Sequence, residues 1–305
     1  MTPLQLFLQQ LANGLTLGAI YALIALGYTM IYGVIQLINF AHGDVFMIGA
    51  YAALTVMLAS AHVPLVAGSW WFTLLCCAAG AMIVCAGLGV AVERLAYRPI
   101  RHAPRLNALI TAIGLSFFLQ NAIMLLYGAT DRQFPSLIPL VRWDVGGLTI
   151  TLMQLVVWVA CALFMVALQL LVRSTKLGMA MRATAQDLKA CALLGIPVNR
   201  IIAVTFMIGS ALAAMGGVLF GLTYGTINFH DGYLVGLKAF TAAVLGGIGN
   251  IPGAMLGGLL LGLLEGLGAG YLSSQWKNVF AFVILVVILL FKPRGLLGER
   301  VADRA

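Results

Sequence analysis

Solid apolar runs divide the chain, and short polar clusters separate them. The runs lie near 11–37, 45–61, 70–93, 107–127, 149–172, 199–222, 254–272 and 277–291. Each approaches or exceeds the roughly 20 residues that an α-helix needs to cross bilayer hydrocarbon. A shorter apolar stretch, 237–250, precedes the last two. None of the runs alternates polar and apolar residues, which argues against the strands of a membrane barrel. The pattern predicts an all-α polytopic membrane protein, one transmembrane domain over 1–305, with about eight to nine crossings.

Composition agrees. The chain is 62% hydrophobic and 9% charged, where soluble proteins run at roughly 45–50% and about 25%. The mean hydropathy is +1.05. A soluble globule, a nucleic-acid binder and a disordered chain are excluded. Cys76, Cys77, Cys85, Cys161 and Cys191 show no metal-ligand spacing and read as small hydrophobes.

Charge orients the runs. No Lys or Arg precedes Arg94, which argues against a cleaved secretory signal. Three basic clusters follow: Glu93 to Arg105, Arg173 to Arg200, and a tail over 292–305 that holds Lys292, Arg294, Arg300 and Arg304. The positive-inside rule places all three in the cytoplasm. Parity then puts the N-terminus outside and the C-terminus inside. It also requires 237–250 to cross, which gives nine crossings; eight, with one end misplaced, is the alternative. A crossing that short must be shielded by protein.

Two polar breaks echo each other. One runs from Tyr32-Gly33 to Asn39-Phe40-Ala41-His42-Gly43-Asp44, the other from Tyr224-Gly225 to Asn228-Phe229-His230-Asp231-Gly232. Each ends one apolar run and opens another, and Asp44 and Asp231 suit the first turn of a helix. The preceding helices run in opposite senses, which points to a possible inverted repeat with broken helices beside a substrate path. Asn39, His42, Asp44, Asn228 and Asp231 are the candidate path or gate residues. Glu265, an acid well inside a late run, joins them, although a hydrogen bond to a neighbouring helix would also account for it. Glycines spaced by four, at Gly14 and Gly18, Gly217 to Gly225, and Gly258 to Gly270, predict close helix crossings, within the chain or against a partner.

Within the second cluster, a cytoplasmic loop over 173–200, the stretch 182–194 contains no helix breaker. It predicts one slim helix across the cytoplasmic face, ended by Gly195 and Pro197. Leu188, Leu193 and Leu194 would offer apolar contact to a soluble partner. The chain has no Gly-x-x-x-x-Gly-Lys-Ser/Thr and no Gly-Lys pair, so it carries no P-loop of its own for ATP. Ser116 lies in a run with no histidine nearby to activate it, so the chain reads as a non-enzyme.

The loop 173–200, Asn13-Gly14 through Gly27, Ile38 through Gly43, Glu93-Arg94-Leu-Ala-Tyr97-Arg98-Pro99, and Lys238 through Gly249 together resemble the H-type permease subunits of branched-chain amino acid ABC importers, in which such a loop is the coupling loop. The resemblance covers nearly the whole chain. It implies an inner-membrane permease that moves Leu, Ile or Val. It further implies a second, M-type permease, two cytoplasmic ATPases that hydrolyse the ATP, and a periplasmic substrate-binding protein. The chain itself would need no cofactor. Arg182, Asp187, Ala190 and Gly195 would carry ATPase coupling. Urea and short-chain amide permeases share these motifs, so a related importer for those substrates or for other amino acids is the alternative. A transporter independent of ATP is a more distant one.

Overall fold

The computed structural model describes residues 2–60, 68–101 and 103–298. The connection 61–67, His102 and the end of the tail, 299–305, lie outside them. Helix α1 spans Pro3–Ile35, α2 His42–Ser60 and α3 Trp70–Val92. α3 runs on through a π-helical turn, Glu93–Tyr97, and a last turn Arg98–Ile100. Then come α4 (Arg105–Tyr127), α5 (Leu152–Ser174), α6 (Lys176–Gln186) and α7 (Leu188–Leu193). The chain closes with α8 (Val198–Tyr224), α9 (Asp231–Gly246), α10 (Ile251–Tyr271) and α11 (Lys277–Phe291). Among the described residues, eight helices are long and apolar enough to cross a membrane. α9, with 16 residues, is not among them.

The three basic clusters share one face of the bundle. Arg101 Nη1 donates to Asn199 Oδ1 at 2.8 Å, joining the first to the second. Leu297 N donates to Gly246 O at 2.9 Å, bringing the tail to the end of α9. A small cavity lined by Gly33, Val172, Arg182 and Gly249 gathers the end of α1, the coupling loop and the turn after α9. The opposite face holds the start of α1. There Gln5 and Gln9 grip a hairpin of two strands, β2 (Arg142–Val145) and β3 (Leu148–Thr151). It also holds β1 (Arg132–Gln133) paired antiparallel with β4 (Thr226–Ile227). α8 therefore ends on this opposite face while α9 ends on the basic face. The short apolar stretch thus runs from the opposite face back toward the basic one.

Small residues set the closest crossings, and they do so within the chain. A Cβ on Gly258 would meet Ala22, one on Gly262 would meet Gly18, and one on Gly266 would meet Gly14. α1 and α10 thus run antiparallel with backbones touching, the geometry that glycine spaced by four permits. Two sequence expectations change. α1 begins at Pro3, eight residues earlier than its apolar run, because Thr2 and Gln5 form a capping box. The helix expected over 182–194 is two helices. Asp187 is extended (φ −151°, ψ 106°), and its carboxylate caps α7 through Lys189 N and Ala190 N at 2.8 and 3.0 Å. An aspartate that can satisfy fresh N–H groups starts a helix more readily than it continues one.

Candidate functional site

The two breaks meet at the centre of the molecule. α1 ends at Gln36 and α8 at Gly225, both in the left-handed region (φ 53° and 70°). After Gln36 the chain turns back into the bundle, so that His42 packs against Gly27, more than two turns before the end of α1. A Cβ on Gly43 would strike the Gly232 carbonyl, and one on Gly232 would strike the Gly43 carbonyl. This reciprocity is the signature of a local two-fold axis. The same sequence separation relates Gln36 to Gly225, Asn39 to Asn228, Phe40 to Phe229 and Gly43 to Gly232. α1 and α8 are antiparallel: Gly216 faces Ile24, and Gly209 faces Gly27 and Ile31. α10 packs on α1 as α3 packs on α8. The halves α1–α3 and α8–α10 thus have the arrangement of an inverted repeat.

The structure brings Asn39, His42 and Asp44 together and buries all three. Asn39 Oδ1 accepts from Tyr97 Oη at 2.9 Å, which ties the first break to the π-helical turn of α3. His42 is fully buried, edge-on to Tyr28 with ring centroids 4.7 Å apart. Neither of its ring nitrogens has a hydrogen-bond partner in bonding geometry among the described residues; the Ile24 carbonyl is the backbone group facing it. Asp44 Oδ1 accepts from Gln120 Nε2 at 2.9 Å, and Oδ2 is buried without a partner. Such groups are costly to bury unsatisfied.

Asn228 and Asp231 sit apart from these, toward the opposite face, and are half-buried. Asn228 N donates to Asp231 Oδ2 at 2.7 Å, and Asn228 Nδ2 to Asp131 Oδ1 at 2.5 Å. They border a cavity of about 190 Å³ with Tyr224 and Thr226. Glu265 is separate again. It is buried, 2.7 Å from Lys238 Nζ, and accepts from Tyr21 Oη at 3.0 Å. The hydrogen-bonded reading of this acid is the one observed. In the coupling loop, Arg182 and Ala190 are exposed on separate helices. Gly195 ends α7 at φ 78°. Cys191 anchors α7 while Leu193 and Leu194 project with 89% and 80% of their surface exposed.

Three groups escaped the sequence reading. Lys238 is the buried partner of Glu265, so intramembrane charge is not confined to that acid. Glu93, placed by sequence in a charged loop, is fully buried and holds Arg98 and Arg101 at 3.1 and 2.7 Å. Ser116 and Gln120 on α4 back onto Asp44 and line a cavity of about 460 Å³ with Tyr28, Phe40, Ile113 and Leu237. A signal for the last pair was present, since serine and glutamine one turn apart in an apolar helix require partners.

Residues 10–289 match the family described as the permease component of the branched-chain amino acid transport system. The chain is 50% identical over 298 residues to the high-affinity branched-chain amino acid transport system permease protein LivH of Escherichia coli, covering 96% of each chain. It is 50% identical over 302 residues to the corresponding permease protein BraD of Pseudomonas aeruginosa, again 96% of each. A xylose/arabinose import permease protein, XylH of Sulfolobus acidocaldarius, is 31% identical over 195 residues, 61% of this chain and 53% of the relative.

Proposed function

This chain belongs to the family of branched-chain amino acid transport permeases, and on that premise we propose that it carries leucine, isoleucine or valine across the bacterial inner membrane as one subunit of an ATP-driven importer. It is a multi-pass membrane protein. The observation that carries the proposal is identity at half of all positions across nearly the full length of two permeases of that transport system. The meeting of the broken helix ends at Gly43 and Gly232 supports a central path near these breaks. Asn39, His42 and Asp44 line its closed part, and Asn228 and Asp231 its mouth on the face opposite the basic clusters. Glu265 holds α9 and α10 together beside it.

The basic face is cytoplasmic on this reading, with the N-terminus periplasmic. Two partner ATPases dock on the coupling loop, where α7 presents Leu193 and Leu194 and keeps Ala190 clear for a slim contact. α5 and α8 flank this loop and transmit its movement into the bundle. A second permease completes the path, and a periplasmic binding protein delivers the substrate and sets most of the specificity.

Reconstitution of the chain with its companion permease, ATPases and binding protein tests the proposal. Leucine uptake that requires ATP and all components is expected. Uptake of urea or short-chain amides in preference to leucine would overturn the substrate. Transport without the ATPases would overturn the coupling. A thiol probe on Lys189→Cys that reacts only from the periplasmic side would invert the topology.

A further inference from the structure

Ser116 and Gln120 lie one turn apart on α4 and are 8% and 6% exposed, although most of that helix is bare. Gln120 Nε2 donates to Asp44 Oδ1 at 2.9 Å and to Ser116 Oγ at 3.1 Å. The Ser116 hydroxyl faces the same carboxylate. A carboxylate only accepts, so the amide nitrogen of Gln120 is fixed toward Asp44 and its carbonyl oxygen is left outside the trio. Both side chains belong to the wall of the 460 Å³ cavity, whose remaining wall is mostly apolar, with Phe40, Ile113 and Leu237, and also carries Tyr28, Tyr233 and His230. Asp44 stands one side chain behind that wall, 1% exposed, with Oδ2 unpartnered. A buried carboxylate with an unsatisfied oxygen keeps a negative potential over one patch of an otherwise apolar surface. No lysine or arginine lines the cavity.

A mostly apolar wall, with the acceptors of Gln120 and Ser116 side by side and an anion directly behind them, suits a primary ammonium attached to a branched hydrocarbon. We infer that this cavity is a substrate station that receives the α-ammonium group of the transported amino acid. Gln120 and Ser116 contact the ammonium through the carbonyl oxygen and the hydroxyl. Asp44 is a positioning residue that fixes the Gln120 amide and supplies the charge. The side chain of the substrate rests on Phe40, Ile113 and Leu237. The inference rests on the amino-acid transport reading above and adds to it the residues that recognise one end of the zwitterion.

The test uses the assembled importer in proteoliposomes. Gln120→Leu removes the acceptor at similar size. Leucine uptake should fall about tenfold, the size of one lost hydrogen bond to a charged group. ATP hydrolysis stimulated by loaded binding protein should persist, which a merely misfolded variant would not show. A second measurement does not depend on that variant. Ile113→Cys on the cavity wall is labelled with N-ethylmaleimide in the presence of leucine or of isocaproate, which has the same carbon skeleton without the amine. Leucine should slow labelling and isocaproate should not, and adding Gln120→Leu should abolish the difference. Equal protection by the two compounds, or full uptake by Gln120→Leu, would overturn the station. A wild-type importer that moves no leucine would overturn the transport reading instead, and the labelling would still decide the station.

Discussion

The two breaks share Ile-Asn-Phe and a glycine in register, at Ile38 to Gly43 and Ile227 to Gly232, and solve opposite problems. The break after α1 is buried: Asn39, His42 and Asp44 are each no more than 3% exposed. It contains polar atoms that meet no hydrogen-bond partner among the described residues. The break after α8 is half-exposed and largely satisfies itself, with Asp231 accepting from Asn228 N and Asn228 bonded to Asp131. The arms that follow also differ. At the position in α2 equivalent to Lys238 stands Gly49, whose missing side chain lets α8 approach at Ala214. In α9, Lys238 reaches Glu265 on α10. Both arms make close backbone contacts, and the second adds a buried ion pair. Duplicated geometry therefore does not imply duplicated chemistry. The unsatisfied half is the one with polar capacity left for a substrate, and the satisfied half is built as a strut.

The largest effect expected from this comparison is at the strut. Lys238→Met leaves Glu265 charged and unpaired in the bundle, which should cost about 3–5 kcal/mol. The melting temperature in detergent should fall sharply, and Lys238→Met with Glu265→Gln should recover most of it. An unchanged single variant would show that the ion pair does not hold α9. Next are Gly43→Ala and Gly232→Ala. Each drives a Cβ into the backbone of the other arm, where neither helix can yield easily, for about 1–3 kcal/mol. Comparable losses on the two sides are expected from the local two-fold; a loss confined to one side would break the symmetry.

Asp44→Asn and Asp231→Asn then compare the two breaks in transport. The first removes the buried anion and should lower leucine uptake about tenfold, or ~1.4 kcal/mol. The second keeps an oxygen for Asn228 N and should leave uptake near wild type. The reverse ranking would move the working site to the second break. The smallest effect serves as a control outside both arms. Asp187→Ala removes the cap of α7 at about 1 kcal/mol. Amide exchange at Lys189 and Ala190 should quicken while the melting temperature of the bundle holds.

Much of the fold was legible because a bilayer imposes a one-dimensional rule. Hydrocarbon thickness sets the length of a span, so the eight long helices followed from the apolar runs alone. The glycine ladders were legible too, since spacing by four fixes one face, but not their target. Gly258, Gly262 and Gly266 fit a companion helix of this chain or of a partner equally well until Ala22, Gly18 and Gly14 are found against them. The interruption at Asp187 was a local signal that the absence of glycine and proline concealed.

The site was less legible. Asn39, His42 and Asp44 stood out by type, and their burial did not. Glu93 looked like one more charge in a basic loop, and only the π-helical turn that swings it inward, with Arg98 and Arg101 closing over it, makes it a buried anchor.

By itself, the sequence determined that this chain lives in lipid, where its long apolar helices lie, which basic clusters share a face and that it has no P-loop of its own. Those properties depend on residue type counted along the chain. Only the tertiary structure decided that Gly43 meets Gly232, that Gln120 turns its amide to Asp44 and that Lys238 neutralises Glu265. Each joins residues far apart in sequence, and a buried polar group is defined by its neighbours in space, which no local pattern specifies.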